Sequence, residues 1–423
     1  MTKYSSLTKS ELLNELQLVK KEFEEIKGAN LSLDMSRGKP GADQLDLSDP
    51  LLGLVGPDSG FKTQGGVDCR NYGGLDGIPE MKKLFSEILE VDADNIICGN
   101  NASLNLMFDA ITQGMVTGFG CGPWLSQGKV KFLCPAPGYD RHFGICQYYG
   151  IEMITVACGE NGPDMDAVEE LIKDPAVKGM WCVPKYSNPL GITYSDETVR
   201  RIAAMKPAAK DFRLMWDNAY IIHDLYDEGD KLLNIFDECK KYGNEDMVLE
   251  FTSTSKITYP GAGIAAVAAS DANIKLLKSR MTIQTIGPDK LNQLAHARMF
   301  PDLKALKAQM KKHADILRPK FEACLKEFET SLGALGIADW TNPRGGYFIS
   351  MQVPSGCAKR VGALCKEAGL VLTTPGATYP YGNDPEDSNL RIAPSFPSPE
   401  EMALAAKVLC VAVKLAALEK LTA

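Results

Sequence analysis

"MVLEFTSTSKITYPGAG", residues 247–263, runs an apolar segment into a cramped turn. The first half reads as a short strand. Lys256 then follows among Ser253, Thr254, Ser255 and Thr258, and Pro260 and Gly261 punctuate the turn. In open α/β sheets ligands sit beyond the carboxyl ends of strands. A single lysine among small hydroxyl residues at such an end marks a candidate binding turn.

The surrounding chain repeats the theme. "NIICGN" (95–100), "VKFLCPAP" (130–137), "EMITVAC" (152–158), "GMWCVP" (179–184), "RLMWD" (213–217) and "GIAAVAAS" (263–270) are further short apolar runs, most of them separated by helical or loop segments. This alternation predicts an α/β fold with a mostly parallel, seven-stranded sheet. Helices are expected at 79–90 and at 101–111, the second capped by Asn101 or Ser103. Residues 8–27 read as an amphipathic helix with Leu12, Leu13, Leu16, Val19 and Phe23 near one face. After residue 300 the texture changes to a long helix (302–330), "GGYFISMQV", a helix near 357–368, "NLRIAPS" and a C-terminal helix (398–420). The expected organisation is a large domain over 56–300 and a smaller α+β domain over 1–55 and 301–423.

Length and composition agree with two domains. The chain has 423 residues, 45% hydrophobic and 24% charged, the balance of a globular protein. A net charge of −8 argues against a nucleic-acid partner. Twelve cysteines lack any C-x-x-C spacing, so neither a metal site nor a dithiol is expected. Scattered thiols suit a reducing compartment. The start is polar and helix-patterned rather than a signal peptide. No apolar run approaches the roughly 18–20 residues of a membrane span. The expected location is the cytoplasm.

The polar residues at the other strand ends complete a chemical set. Asp217 closes "RLMWD", Asn188 lies in "KYSNPLG", Tyr139 in "PGYDRH", and Asn101, Ala102 and Ser103 open a helix. A partly desolvated lysine can attack a carbonyl. Hydroxyls and a helix N-terminus donate to a phosphate. A carboxylate can pair with a protonated ring nitrogen, and an aromatic ring can stack on it. Pyridoxal phosphate (PLP) has the aldehyde, phosphate and pyridine nitrogen that such a set would serve.

With these residues in place, the sequence resembles the fold-type I PLP-dependent class I aminotransferases, most closely the bacterial, MocR-like branch of the aspartate aminotransferases. The resemblance runs from "SRGKP" (36–40) to "NLRIAPS" (389–395) and includes "NYGGLDGIPEMKKL" (71–84), "SNPLG", "DNAY" and "STSK". Asn188 and Asp217 are 29 residues apart, and Asp217 and Lys256 are 39 apart. It implies that Lys256 holds PLP as the internal aldimine and shuttles a proton, and that Asp217 binds the pyridinium nitrogen. Tyr220 and Asn188 would hydrogen-bond the ring oxygen and Tyr139 would stack on the ring. Asn101, Ala102, Ser103, Ser253 and Ser255 would cradle the phosphate, with Tyr72 reaching it from the other subunit of a homodimer. Arg391 would clamp the substrate α-carboxylate, Gly38 would leave the substrate room, and Arg141 together with Arg37 is the candidate reader of a distal carboxylate. His142 and His223 receive no chemical step.

One departure from the family stands out. Relatives carry a phosphate-binding arginine seven or eight residues after the lysine, where this chain has Gly263 and Ile264. Backbone amides near 260–263 and the helix dipole at 101–103 are the expected substitutes. The implied reaction is L-aspartate plus 2-oxoglutarate giving oxaloacetate and L-glutamate by a ping-pong route. Another amino-acid preference or a β-lyase on the same scaffold stays open. So does a PLP-binding regulatory module, although only about 30 residues precede "SRGKP", too few for a DNA-binding winged helix.

Overall fold

The computed structural model describes residues 3–423. Met1 and Thr2, at the start of the expected small domain, lie outside them. The central sheet has the order Ile96–Cys98, Ala265–Ala269, Val248–Ser253, Arg213–Asp217, Val177–Cys182, Lys131–Ala136, Glu152–Gly159 and Gly162–Pro163. The seven expected strands are all there, and the eighth is a two-residue antiparallel addition at one edge. The five strands from Val248–Ser253 through Glu152–Gly159 are mutually parallel, and Ala265–Ala269 runs antiparallel to both its neighbours.

The strands of the sheet interior are buried on both faces, which explains their near-continuous apolar runs, whereas Glu152–Gly159 near the edge is exposed at alternate residues. Side chains alternate across the pleat. Leu214 and Trp216 join one apolar layer with Leu133, Met180 and Val248, whereas Met215 joins the opposite layer with Phe132, Trp181 and Phe251. Asp217 shares the parity of Met215, and Glu250 that of Val248. The chain passes from Lys131–Ala136 outward to Glu152–Gly159, then crosses back to Val177–Cys182 and proceeds the other way. That reversal opens a crevice at the carboxyl edge.

A third apolar cluster unites the N-terminal helix Lys9–Gly28 with the Leu303–Leu332 and Pro399–Thr422 helices and the three-stranded antiparallel sheet Asp339–Trp340, Ile349–Gln352 and Asn389–Ile392. Leu12, Leu16, Val19 and Phe23 are buried in it as expected, but Leu13 is exposed. Leu12 and Leu16 are four residues apart and stack on one face, while Leu13 points about 100° away. The Pro399–Thr422 helix is buried nearly all round because helices cover it on two sides.

The 101–111 helix is observed at Ser103–Val116, and its start differs from expectation. Ala102 is the cap residue, in an extended conformation, and no side chain caps the helix. Asn101 instead spends its amide on the Pro260 carbonyl at 3.3 Å. Among the described residues, no helix is long and apolar enough to cross a membrane.

Candidate active site

The carboxyl ends of the parallel strands gather the expected residues around one cleft of about 370 Å³. It is lined by Arg37, Gly38, Ala102, Ser103, Tyr139, Arg141, Asn188, Asp217, Tyr220, Ser253, Ser255, Lys256 and Arg391, together with Asp140 and Phe348. Two expected residues are absent from its lining. Asn101 stands behind it, its carbonyl accepting from the Ser255 hydroxyl at 2.8 Å. Tyr72 is 85% exposed and lines a separate shallow depression with Ile286 and Leu291.

Asp217 ends the Arg213–Asp217 strand and is buried. Its Oδ2 lies 3.0 Å from His142 Nε2, while Oδ1 has no partner. An unpaired buried carboxylate oxygen is costly unless something donates to it. His142 is held in turn by the Trp181 ring, stacked at 4.3 Å and 8°, and by the edge of Tyr139. His142 lies three residues after Tyr139 on the helix Asp140–Tyr148, so its position on that helix face could have been read from spacing. Its contact with Asp217 spans 75 residues and could not.

Lys256 is half-buried, and its amine lies 5.2 Å from the Tyr220 ring centre and 5.8 Å from that of Tyr347. Desolvation pulls its pKa below the usual lysine value, with Asp217 opposing. Burial raises the Tyr220 hydroxyl well above its ordinary value and lifts Tyr139 to about 12. Both stay protonated donors near neutral pH. Beneath the lysine, Tyr347 accepts from the Gln44 amide at 3.0 Å, and His313 contacts Gln44 and the Ile257 carbonyl. His223 packs against Tyr220 and Tyr347, and burial, then the Lys256 charge, keep its ring neutral. Sequence reasoning missed this buried support, whose members come from four distant segments.

The hydroxyl cluster is tied together: Ser253 Oγ donates to Ser255 Oγ at 3.1 Å. Gly38 lies against Phe348, where a Cβ would stand 2.6 Å from the ring. The space made by its missing side chain is therefore taken up by that ring, which itself lines the cleft. Arg391, on the Asn389–Ile392 strand, donates from Nη1 to Asp140 at 2.8 Å and to Asn188 at 3.3 Å, and from Nε to Thr373 at 3.1 Å. Arg141 is exposed at the cleft wall.

Similarity to known proteins agrees with this arrangement. The family profile described as aspartate amino-transferase matches residues 7–423. An aspartate aminotransferase of Corynebacterium glutamicum is 47% identical over 403 residues, covering 95% of this chain and 93% of its own length. The crystal structure of an aspartate transaminase from Corynebacterium glutamicum superposes with a TM-score of 0.95 at 46% identity, covering 97% of each chain. An α-aminoadipate aminotransferase from Thermus thermophilus, complexed with N-(5'-phosphopyridoxyl)-L-leucine, shares the fold at a TM-score of 0.75, with 19% identity and 95% of each chain covered. A match along nearly its whole length, in sequence and in shape, makes this chain a member of the aspartate aminotransferase family, and its activity that of an aminotransferase.

Proposed function

We propose that the cleft binds pyridoxal 5'-phosphate and transfers the amino group of L-aspartate to 2-oxoglutarate, giving oxaloacetate and L-glutamate by a ping-pong sequence. The observation that carries this reading is Asp217: one oxygen is held by His142, the other is buried and unpartnered, and the residue lines a cleft shared with a desolvated lysine. That oxygen is a ready acceptor for a pyridine N–H. The uncapped start of the Ser103–Val116 helix leaves backbone N–H groups for a phosphate, beside Ser253 and Ser255. The residues thus suit the cofactor, with Tyr139 as its stacking partner and Asn188 and Tyr220 at its ring oxygen. Bound there, the cofactor supplies an aldehyde for the substrate nitrogen and a ring that accepts the electrons left when Cα loses its proton.

The chain supplies the rest. Lys256 Nζ, poised toward its neutral form, would hold the cofactor at rest and, once the substrate nitrogen had displaced it, would be free to accept the Cα proton. Arg391 holds the α-carboxylate, and Arg141 together with Arg37 reads the distal one. Tyr72 contributes to the partner's site in a homodimer. Twelve free thiols suit a reducing compartment, the cytoplasm. The unit boundaries we propose are 56–300 for the larger part and 1–55 with 301–423 for the smaller.

The test is turnover of L-aspartate and 2-oxoglutarate by the purified protein, followed through oxaloacetate. Parallel double-reciprocal lines and loss of activity in Lys256→Ala are expected; intersecting lines or an active variant contradict the reading. Arg141→Ala should raise KM for aspartate far more than for alanine, because only aspartate loses a charged partner. Equal changes for the two substrates reject that role.

A further inference from the structure

Arg391 is already occupied. Its Nη1 donates to the Asp140 carboxylate at 2.8 Å and to Asn188, and its Nε donates to Thr373. A guanidinium grips a carboxylate in parallel through two nitrogens, either Nη1 with Nη2 or Nε with Nη2. Either fork here has one nitrogen engaged. The stronger engagement is that of Asp140, the only charged acceptor among the three. The pair is sheltered on the arginine side, 8% exposed, and more open on the aspartate side, 33% exposed. Both residues line the cleft.

The Asp140 carboxylate has the chemistry of the group that Arg391 is proposed to receive. Thr373 is a neutral partner, fixed by its own bond to the Ser36 carbonyl at 2.6 Å. It steadies the guanidinium without competing in charge. We propose that Asp140 is an internal occupant of the carboxylate clamp, which a substrate carboxylate must displace, and that it thereby sets the affinity for amino acids and 2-oxo acids alike. Asp140 is the first residue of the Asp140–Tyr148 helix, adjoining Tyr139, so its release moves no strand of the sheet. The cleft also holds the cations Arg37, Lys39 and Arg141, against Asp217. An internal carboxylate keeps Arg391 from being captured by stray anions between turnovers.

This inference rests on the role given to Arg391 above. It is tested by calorimetric titration of succinate, an unreactive dicarboxylate, into the PLP-loaded enzyme, with Asp140→Asn, Arg391→Ala and the double variant in parallel. Asp140→Asn is expected to tighten succinate by roughly two- to fivefold, the range for a partly exposed ion pair released from competition. KM for aspartate and for 2-oxoglutarate should fall by a similar factor. In the Arg391→Ala background the same substitution should tighten nothing, because the competition is gone. Unchanged or weaker succinate binding in Asp140→Asn overturns the proposal. Equal tightening in both backgrounds also overturns it, since that would be a general field effect. If Arg391→Ala alone leaves succinate binding unchanged, the assignment of Arg391 itself fails. Asp140→Ser, another residue suited to a helix start, repeats the test should the asparagine variant fold poorly, with thermal melting as the check.

Discussion

A Cβ on Gly263 would stand 3.0 Å from the backbone N and Cα of Ser255 and 3.1 Å from the Asn101 carbonyl. The next residue, Ile264, is buried in the core below the sheet. The turn at 260–263 is packed tightly against the Ser255 backbone and the 101–103 turn, so a side chain at 263 would have to displace backbone. Gly263→Arg should therefore lower stability by about 1–3 kcal/mol, the usual cost of overpacking a tight site. Differential scanning calorimetry should show Tm falling by several degrees. An unchanged Tm would mean that the turn yields freely. His142, which receives no chemical step, contacts one oxygen of Asp217 and leaves the other free.

The strands carry a second consequence of their alternation. Glu250 falls on the face of Val248 and Trp216, where it is buried with one hydrogen bond, from the Asn218 amide at 2.8 Å. Burial raises its pKa from 4.5 to about 7, against the lowering effect of that bond. Below pH 4.5 the folded and unfolded chains both hold the proton, and Glu250 contributes nothing to the pH dependence. Between 4.5 and 7 the folded state keeps a proton that the unfolded chain releases, so stability declines as pH rises. Above 7 the full cost of a buried carboxylate is present. Glu250→Gln should be more stable than the parent at pH 8 by about 1–3 kcal/mol. The difference should vanish toward pH 4.5 in denaturant titrations run at both values. A constant difference across that range would point to packing rather than charge. The helix at Ser103–Val116 shows the limit of local rules: its sequence offers two good capping residues nearby, but the chain leaves its first turn uncapped at the cleft.

At the scale of the whole molecule, exposed apolar side chains bear on the proposed homodimer. Tyr72, Ile283 and Ile286 are 85%, 89% and 64% exposed, and Tyr72 and Ile286 share one depression. Exposed apolar neighbours such as Tyr72 and Ile286 are expected at a subunit contact. Ile286→Asp should shift the protein toward monomer in size-exclusion chromatography with light scattering, and lower activity if Tyr72 serves the partner's site. A variant that stays dimeric and fully active would place the contact elsewhere. Strand and helix identity, and the succession of Asn188, Asp217 and Lys256 at strand ends, were legible in the sequence, because burial on both faces and turn chemistry are written locally. What brings Asp140 to Arg391 across 251 residues, and His142 to Asp217 across 75, was not. Those meetings depend on the order of strands in the sheet and on how the C-terminal layer docks beside it. Both follow from the summed packing of distant apolar surfaces, to which no single stretch of chain bears witness.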